Sequence, residues 1–170
     1  EVSMILKSIL AGFFISLGGC CFLSLDNGVI GALFFTVGLT AVLVFKLNLF
    51  TGKAGYVLDQ MKEKGFLALG NLLVIWVLNF VGAAIAALMA RCLPIYESIR
   101  TKVLPMVSTK VSLPWYSALV TGILCGVMMY LAVEGYNRCS RENRNVMGIM
   151  CYVLGVSVFI ICKFEHSIAD

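Results

Sequence analysis

The chain has 170 residues, of which 61% are hydrophobic and only 13% charged, with a net charge of +4. Soluble domains carry about 25% charged residues, so a water-soluble domain is excluded. The positive charge does not point to nucleic acid, because the basic residues gather in the connections between apolar runs, as membrane topology requires.

The first apolar run, Ile5 to Leu25, is too long for the core of a signal peptide and lacks a small-residue cleavage pattern. It predicts a spanning helix over 3–25. Asp26-Asn27-Gly28 predicts a tight turn. A second helix is predicted over 29–45, with a short continuation over 54–61. Between them lies Lys46-Leu-Asn-Leu-Phe-Thr-Gly-Lys53, a polar stretch inside an otherwise apolar run. Backbone groups in hydrocarbon must be paired, so such a break is tolerated only where protein or water covers it. Broken helices at membrane depth mark ion or substrate sites. The same stretch also reads as an ordinary loop joining a short helix to a surface helix.

A third helix is predicted over 66–90, where Gly82, Ala86 and Ala90 at four-residue spacing suit close helix contact. Arg91 to Leu113 reads as a polar connection with prolines at 94 and 105. A fourth helix is predicted over 114–133, opened by Pro114 and Trp115, with Gly122 and Gly126 as a packing pair. A loop follows from Glu134 to Asn145 with Arg138, Arg141 and Arg144, then a fifth helix over 146–162. That helix stops at Lys163-Phe-Glu-His-Ser-Ile-Ala-Asp170, which carries the only histidine. Two breaks in comparable places of two halves are the best sequence pointer to a transporter site.

Ser8, Gly12 and Ser16 on the first helix echo Ala118, Gly122 and Gly126 on the fourth. Each set precedes a segment that breaks, so the chain reads as an inverted repeat of three-helix units within one transmembrane domain over 1–170. Two such units need six helices and five are predicted. The chain starts at Glu1 and stops just past a break; it reads as a fragment lacking the sixth helix. Alternating the spans puts Lys7, Lys62, Lys64, Arg138, Arg141 and Arg144 on one side and Arg91, Arg100, Lys102 and Lys110 on the other. The first side is then cytoplasmic, with the N-terminus on it.

The seven cysteines lie mostly in apolar runs, without a CxxC pair, so neither a disulfide framework nor a zinc site is expected. No paired carboxylates, HExxH motif or Cys/His cluster suggests an enzyme, and no cofactor is implied.

Leu49-Phe50-Thr51-Gly52, Asn79-Phe80-Val81-Gly82-Ala83, Gly122-Ile-Leu-Cys125 and above all Phe164-Glu165-His166-Ser167-Ile168-Ala169 resemble the formate/nitrite transporter family. That resemblance covers nearly the whole chain in order. It implies an aquaporin-like fold of six helices, with broken second and fifth helices, in a homopentamer of the inner (plasma) membrane. Each protomer is expected to pass a small monovalent anion (formate, nitrite or hydrosulfide), together with a proton, as the neutral acid. By the same resemblance Thr51 and His166 line the pore, and Lys110 attracts the anion at its mouth. Phe35, Leu39, Leu49, Phe50 and Phe159 fall at its apolar constrictions. Gly126-Val127 stands where the family usually has asparagine and tryptophan, and Asp170 where it usually has asparagine. A channel for a neutral molecule such as ammonia or water is the alternative. His166 can donate either a proton or a hydrogen bond, and the sequence leaves both open. Taken without the family, Lys110 reads equally as an interface lysine, Glu165 as a local cap or partner, and the constriction residues as core or lipid-facing side chains.

Overall fold

A computed structural model of the chain describes residues 3–169. The expectation at Asp170 lies outside the described residues. Among them the structure is all helical, with no strand. In chain order the helices are α1 (Met4–Ser24), α2 (Gly28–Val44), α3 (Phe50–Ala54), α4 (Val57–Lys64), α5 (Leu67–Ala90), α6 (Tyr96–Val111), α7 (Trp115–Arg141) and α8 (Asn145–Ile161).

Three of these, α1, α5 and α7, are long and apolar enough to cross a membrane. α2 and α8 are equally apolar but have 17 residues each. At 1.5 Å per residue that is about 26 Å, short of the roughly 30 Å hydrocarbon core. Each stops inside the protein and hands over to irregular backbone. Local chemistry fixes the starts. The Ser3 side chain accepts from the Leu6 amide at the head of α1. Asn27 accepts from the Val29 and Ile30 amides at the head of α2, supplying the side-chain acceptor that orphan helix donors need.

Both breaks use one backbone device. α2 ends with Lys46 at φ 50° and α8 with Lys163 at φ 55°. In the first, the Leu47 amide donates to the Val42 carbonyl at 2.9 Å and the Lys46 amide to Leu43 at 3.3 Å. In the second, the Phe164 amide donates to Phe159 at 2.9 Å and the Lys163 amide to Ile160 at 3.1 Å. This is a Schellman ending, in which a left-handed residue lets the chain reverse and satisfy the last carbonyls. The end of α7 uses the same device, with Asn143 at φ 56° and the Arg144 amide donating to the Cys139 carbonyl at 2.8 Å.

The helices pack through small residues. A Cβ on Gly12 would fall on the backbone carbonyl of Asn79, and one on Gly82 on that of Ile9. α1 and α5 therefore cross backbone to backbone. In the α7–α8 hairpin, Gly155 lies against Ala132 and Gly148 against Cys139. The central core joins Ile15, Phe35, Leu39, Leu49, Met129, Val156 and Phe159 from five helices or their caps.

Three expectations need correction. The helix after the first break resumes at Phe50, so Thr51 and Lys53 lie inside α3, and α4 runs to Lys64 rather than stopping at 61. The connection 91–113 contains α6. Pro105 lies within it, where the bond it forfeits is to an exposed turn. Residues 134–141, read as loop, continue α7. Arg138 donates to Glu134 one turn away at 2.8 Å, and the helix runs to Arg141, with the chain turning at Asn143, φ 56°. A Cβ at Gly122 or Gly126 meets nothing within 4 Å among the described residues.

Candidate functional site

Each break delivers one polar side chain to the same place. α3 begins at Phe50 and holds Thr51 in its first turn. The stretch after α8 holds His166, which is 1% exposed. Thr51 Oγ1 and His166 Nε2 are 3.1 Å apart.

The ring's orientation follows from its other nitrogen. His166 Nδ1 accepts from the Ile168 amide at 3.2 Å and the Ala169 amide at 3.0 Å. An acceptor nitrogen carries no hydrogen, so a neutral imidazole places its single N–H on Nε2. Nε2 then donates to Thr51 Oγ1. The Thr51 hydroxyl hydrogen is left to point at a further acceptor.

The apolar residues stack onto this pair. The Phe159 ring lies 5.3 Å from the His166 ring at an interplanar angle of 25°. Phe35 meets Phe159 edge to face at 6.0 Å. Phe35, Leu39, Leu49 and Phe159 are all buried in one cluster, and Phe50 packs against it partly buried. Phe50 also leans on Trp76 of α5 at 6.3 Å.

Above Phe35 and Phe159 lies a cavity of about 490 Å³, roofed by α6 through Val103, Met106 and Lys110. Lys110 Nζ donates to both carboxylate oxygens of Glu165 at 2.9 Å. The pair is half-buried, with side-chain exposures of 25% and 22%. Lys110 is therefore tied to the residue next to His166, and Glu165 pairs across 55 positions rather than locally. α6 is pinned over the α1–α2 turn by Lys102, which donates to Asp26 at 2.8 Å and to the Leu25 carbonyl at 3.1 Å. That hydrogen bond and the ammonium's charge hold the Asp26 carboxyl below its ordinary range.

One residue of the site has no role in the sequence reading. Asn79, in the middle of α5, is 0% exposed. Its Oδ1 accepts from the Phe50 amide at 2.8 Å, and its Nδ2 donates to the carbonyls of Asn48 at 2.9 Å and Ser8 at 2.7 Å. It thus replaces the helix bonds missing at the first break and sets where α3 starts. An amide within a long apolar helix was the available clue, since polar groups there are costly without a partner. On the far side of α3, Tyr56 donates to Glu134 at 2.5 Å. Arg138 and Arg141 bind the other oxygen of that carboxylate at 2.8 and 3.2 Å. Thr51 is therefore held from α5 at one end and from α7 at the other.

The fold and the paired breaks define an all-α polytopic membrane protein of the channel and transporter class, with interrupted second and fifth spans. A family model described as formate/nitrite transporter matches residues 2–170. The chain belongs to the formate/nitrite transporter family. It is similar to a solved structure described as a pentameric formate channel with formate bound, with a TM-score of 0.80 and 22% identity. The likeness covers 98% of this chain and 70% of that one; at that identity it is a likeness of fold. No curated protein matches the chain.

Proposed function

We propose that the chain forms a channel for small monovalent anions of the formate, nitrite or hydrosulfide kind, which cross the apolar constrictions as the neutral acid. The observation that carries this reading is the Thr51–His166 contact. Two residues from two separate helix breaks meet at the buried end of an aromatic stack, beneath a vestibule with a lysine in its wall.

A bare anion loses many kcal/mol of hydration in a low-dielectric passage, whereas a neutral acid loses far less. Lys110 raises the local anion concentration at the mouth. Glu165 offsets part of its charge, which keeps the anion from being held there. Phe35, Leu39 and Phe159 bar water and ions on one side of Thr51, and Leu49 and Phe50 do so on the other. At Thr51 the hydroxyl donates to the substrate oxygen.

His166 orients that hydroxyl. It is not the acid that protonates the substrate. Nδ1 is occupied by two amides, so loss of the Nε2 hydrogen would leave an imidazolate. The proton therefore enters with the substrate from the vestibule. The assembly is a homopentamer in the plasma membrane with the N-terminus cytoplasmic. Small-residue helix faces permit the close subunit approach this needs.

Proteoliposomes test the reading. Formate, nitrite and hydrosulfide uptake is expected to saturate and to rise as external pH falls. A protein that inserts but conducts none of them refutes the channel. Native mass spectrometry is expected to give five subunits, and a tetramer or monomer would exclude the pentamer.

A further inference from the structure

α3 has five residues, little more than one turn. A helix that short does not hold itself, because nucleation costs more than its few internal bonds return. Its orientation is set by what grips its ends. Asn79 fixes the start at the Phe50 amide. The other end is the joint Gly55–Tyr56, which belongs neither to α3 nor to α4. α7 closes on that joint. A Cβ at Gly52 would touch Val133 at 3.4 Å, and one at Gly55 would fall on the Tyr130 ring. The Tyr130 ring also stands 5.5 Å from that of Tyr56. Apolar contacts of this kind leave α3 free to turn about its axis. The directional contact is polar. The Tyr56 hydroxyl donates to Glu134 Oε2 at 2.5 Å, and the Asn137 side chain bonds the same hydroxyl. Glu134 is 14% exposed, and Arg138 and Arg141 hold its other oxygen. Its carboxylate is therefore anchored on α7 independently of Tyr56.

We propose that Glu134 is a positioning residue for permeation: through Tyr56 it fixes the rotation of α3, and so the direction in which Thr51 presents its hydroxyl. This rests on the channel reading above. Glu134 acts through the joint and is not itself in the path. A turn of α3 would carry the Thr51 hydroxyl away from His166 Nε2, which lies 3.1 Å from it. Misplacing a positioned group by about 1 Å costs up to about a hundredfold, so a contact at one end of α3 is felt at Thr51 without loss of the fold.

The test is formate flux through the full-length protein in liposomes. Tyr56→Phe deletes the hydroxyl, keeps a ring beside Tyr130 and leaves Glu134 with both guanidinium groups, so insertion is expected to persist. Maximal flux is expected to fall by roughly threefold or more. The half-saturating concentration is expected to stay unchanged, because the vestibule lysine is untouched. In a Thr51→Val background the same change is expected to cost nothing further, since residues acting through one linkage are not additive. Glu134→Asp keeps the charge for the arginines but draws the carboxylate back from Tyr56. It is expected to show the same pattern, and it carries the test if Tyr56→Phe fails to insert. Wild-type flux in either inserted variant overturns the proposal and leaves the channel standing. So does an equal fold-loss with and without Thr51→Val, which would make the contact general support of the fold. A wild type that conducts none of formate, nitrite and hydrosulfide overturns the channel reading itself.

Discussion

Thr51 and His166 are 115 positions apart, yet their polar atoms lie 3.1 Å from each other. Neither belongs to an uninterrupted spanning helix. Each is delivered by a helix that stops short, and the two stops share one Schellman geometry. The contact is what converts two separate interruptions into one site.

Thr51→Val tests the hydroxyl itself. Valine has a similar volume, and a β-branched side chain is already present, so insertion and assembly are expected to persist. Removing the hydroxyl leaves the His166 Nε2 hydrogen without this acceptor, at about 1–3 kcal/mol. Formate flux in liposomes is expected to fall by roughly tenfold or more, as 1.36 kcal/mol is tenfold in rate. Wild-type flux from a properly inserted variant would remove Thr51 from the path.

His166→Gln and His166→Asn separate orientation from proton donation. The longer amide reaches the Nε2 position and donates to Thr51. The shorter one reaches the Nδ1 position and accepts from the Ile168 and Ala169 amides. Neither exchanges a proton between pH 5 and 8. Both variants are expected to lower flux, glutamine less than asparagine, and both are expected to keep the wild-type rise as pH falls. A flat pH profile in both, with flux retained, would make His166 the proton donor instead.

Asn79→Ala removes three hydrogen bonds from a fully buried side chain. It strands the Phe50 amide and two carbonyls, each costing about 1–3 kcal/mol. The expected result is a lower melting temperature in detergent and a loss of flux larger than that of Thr51→Val. A variant as stable as wild type would show that the first break holds itself.

The Lys110–Glu165 pair predicts effects of opposite sign. Glu165→Gln removes one negative charge beside the lysine, so half-saturation is expected at lower anion concentration. Lys110→Met leaves a carboxylate at the vestibule and is expected to raise it. Both differences are expected to shrink as salt rises, because the Debye length falls to about 3 Å at 1 M. Concentration series at two ionic strengths read this directly, and equal shifts in one direction would contradict it.

Gly82→Val tests the α1–α5 crossing. The new side chain would meet the Ile9 backbone carbonyl, and backbone cannot move aside as a flexible side chain can. Overpacking of this kind costs about 1–3 kcal/mol, occasionally more. Poor membrane yield or loss of the assembled form is expected, whereas the same change at Gly70, which meets nothing within 4 Å, is expected to be tolerated. Equal behaviour at the two positions would argue against the close crossing.

The sequence by itself determined the membrane class and the two breaks. Hydrocarbon offers no hydrogen bonds, so a spanning segment must be an apolar run, and Lys46–Lys53 and Lys163–Ala169 are legible as departures from that rule. Family-specific residues at both breaks made Thr51 and His166 visible as candidates. Sequence alone misplaced structure where polar composition and helix coincide. α6 looks like a loop because it carries charge and proline, and α7 runs on past Val133 because Glu134 and Arg138 pair one turn apart. Only the tertiary structure decided which residues meet. Asn79 acquires its role from the backbone of Ser8, Asn48 and Phe50. Lys110 acquires a partner from a segment 55 positions away. The reason is physical. The cost of leaving a group unpaired in lipid is local and can be read along the chain. The partner that removes the cost is set by how the helices cross, which no local pattern records.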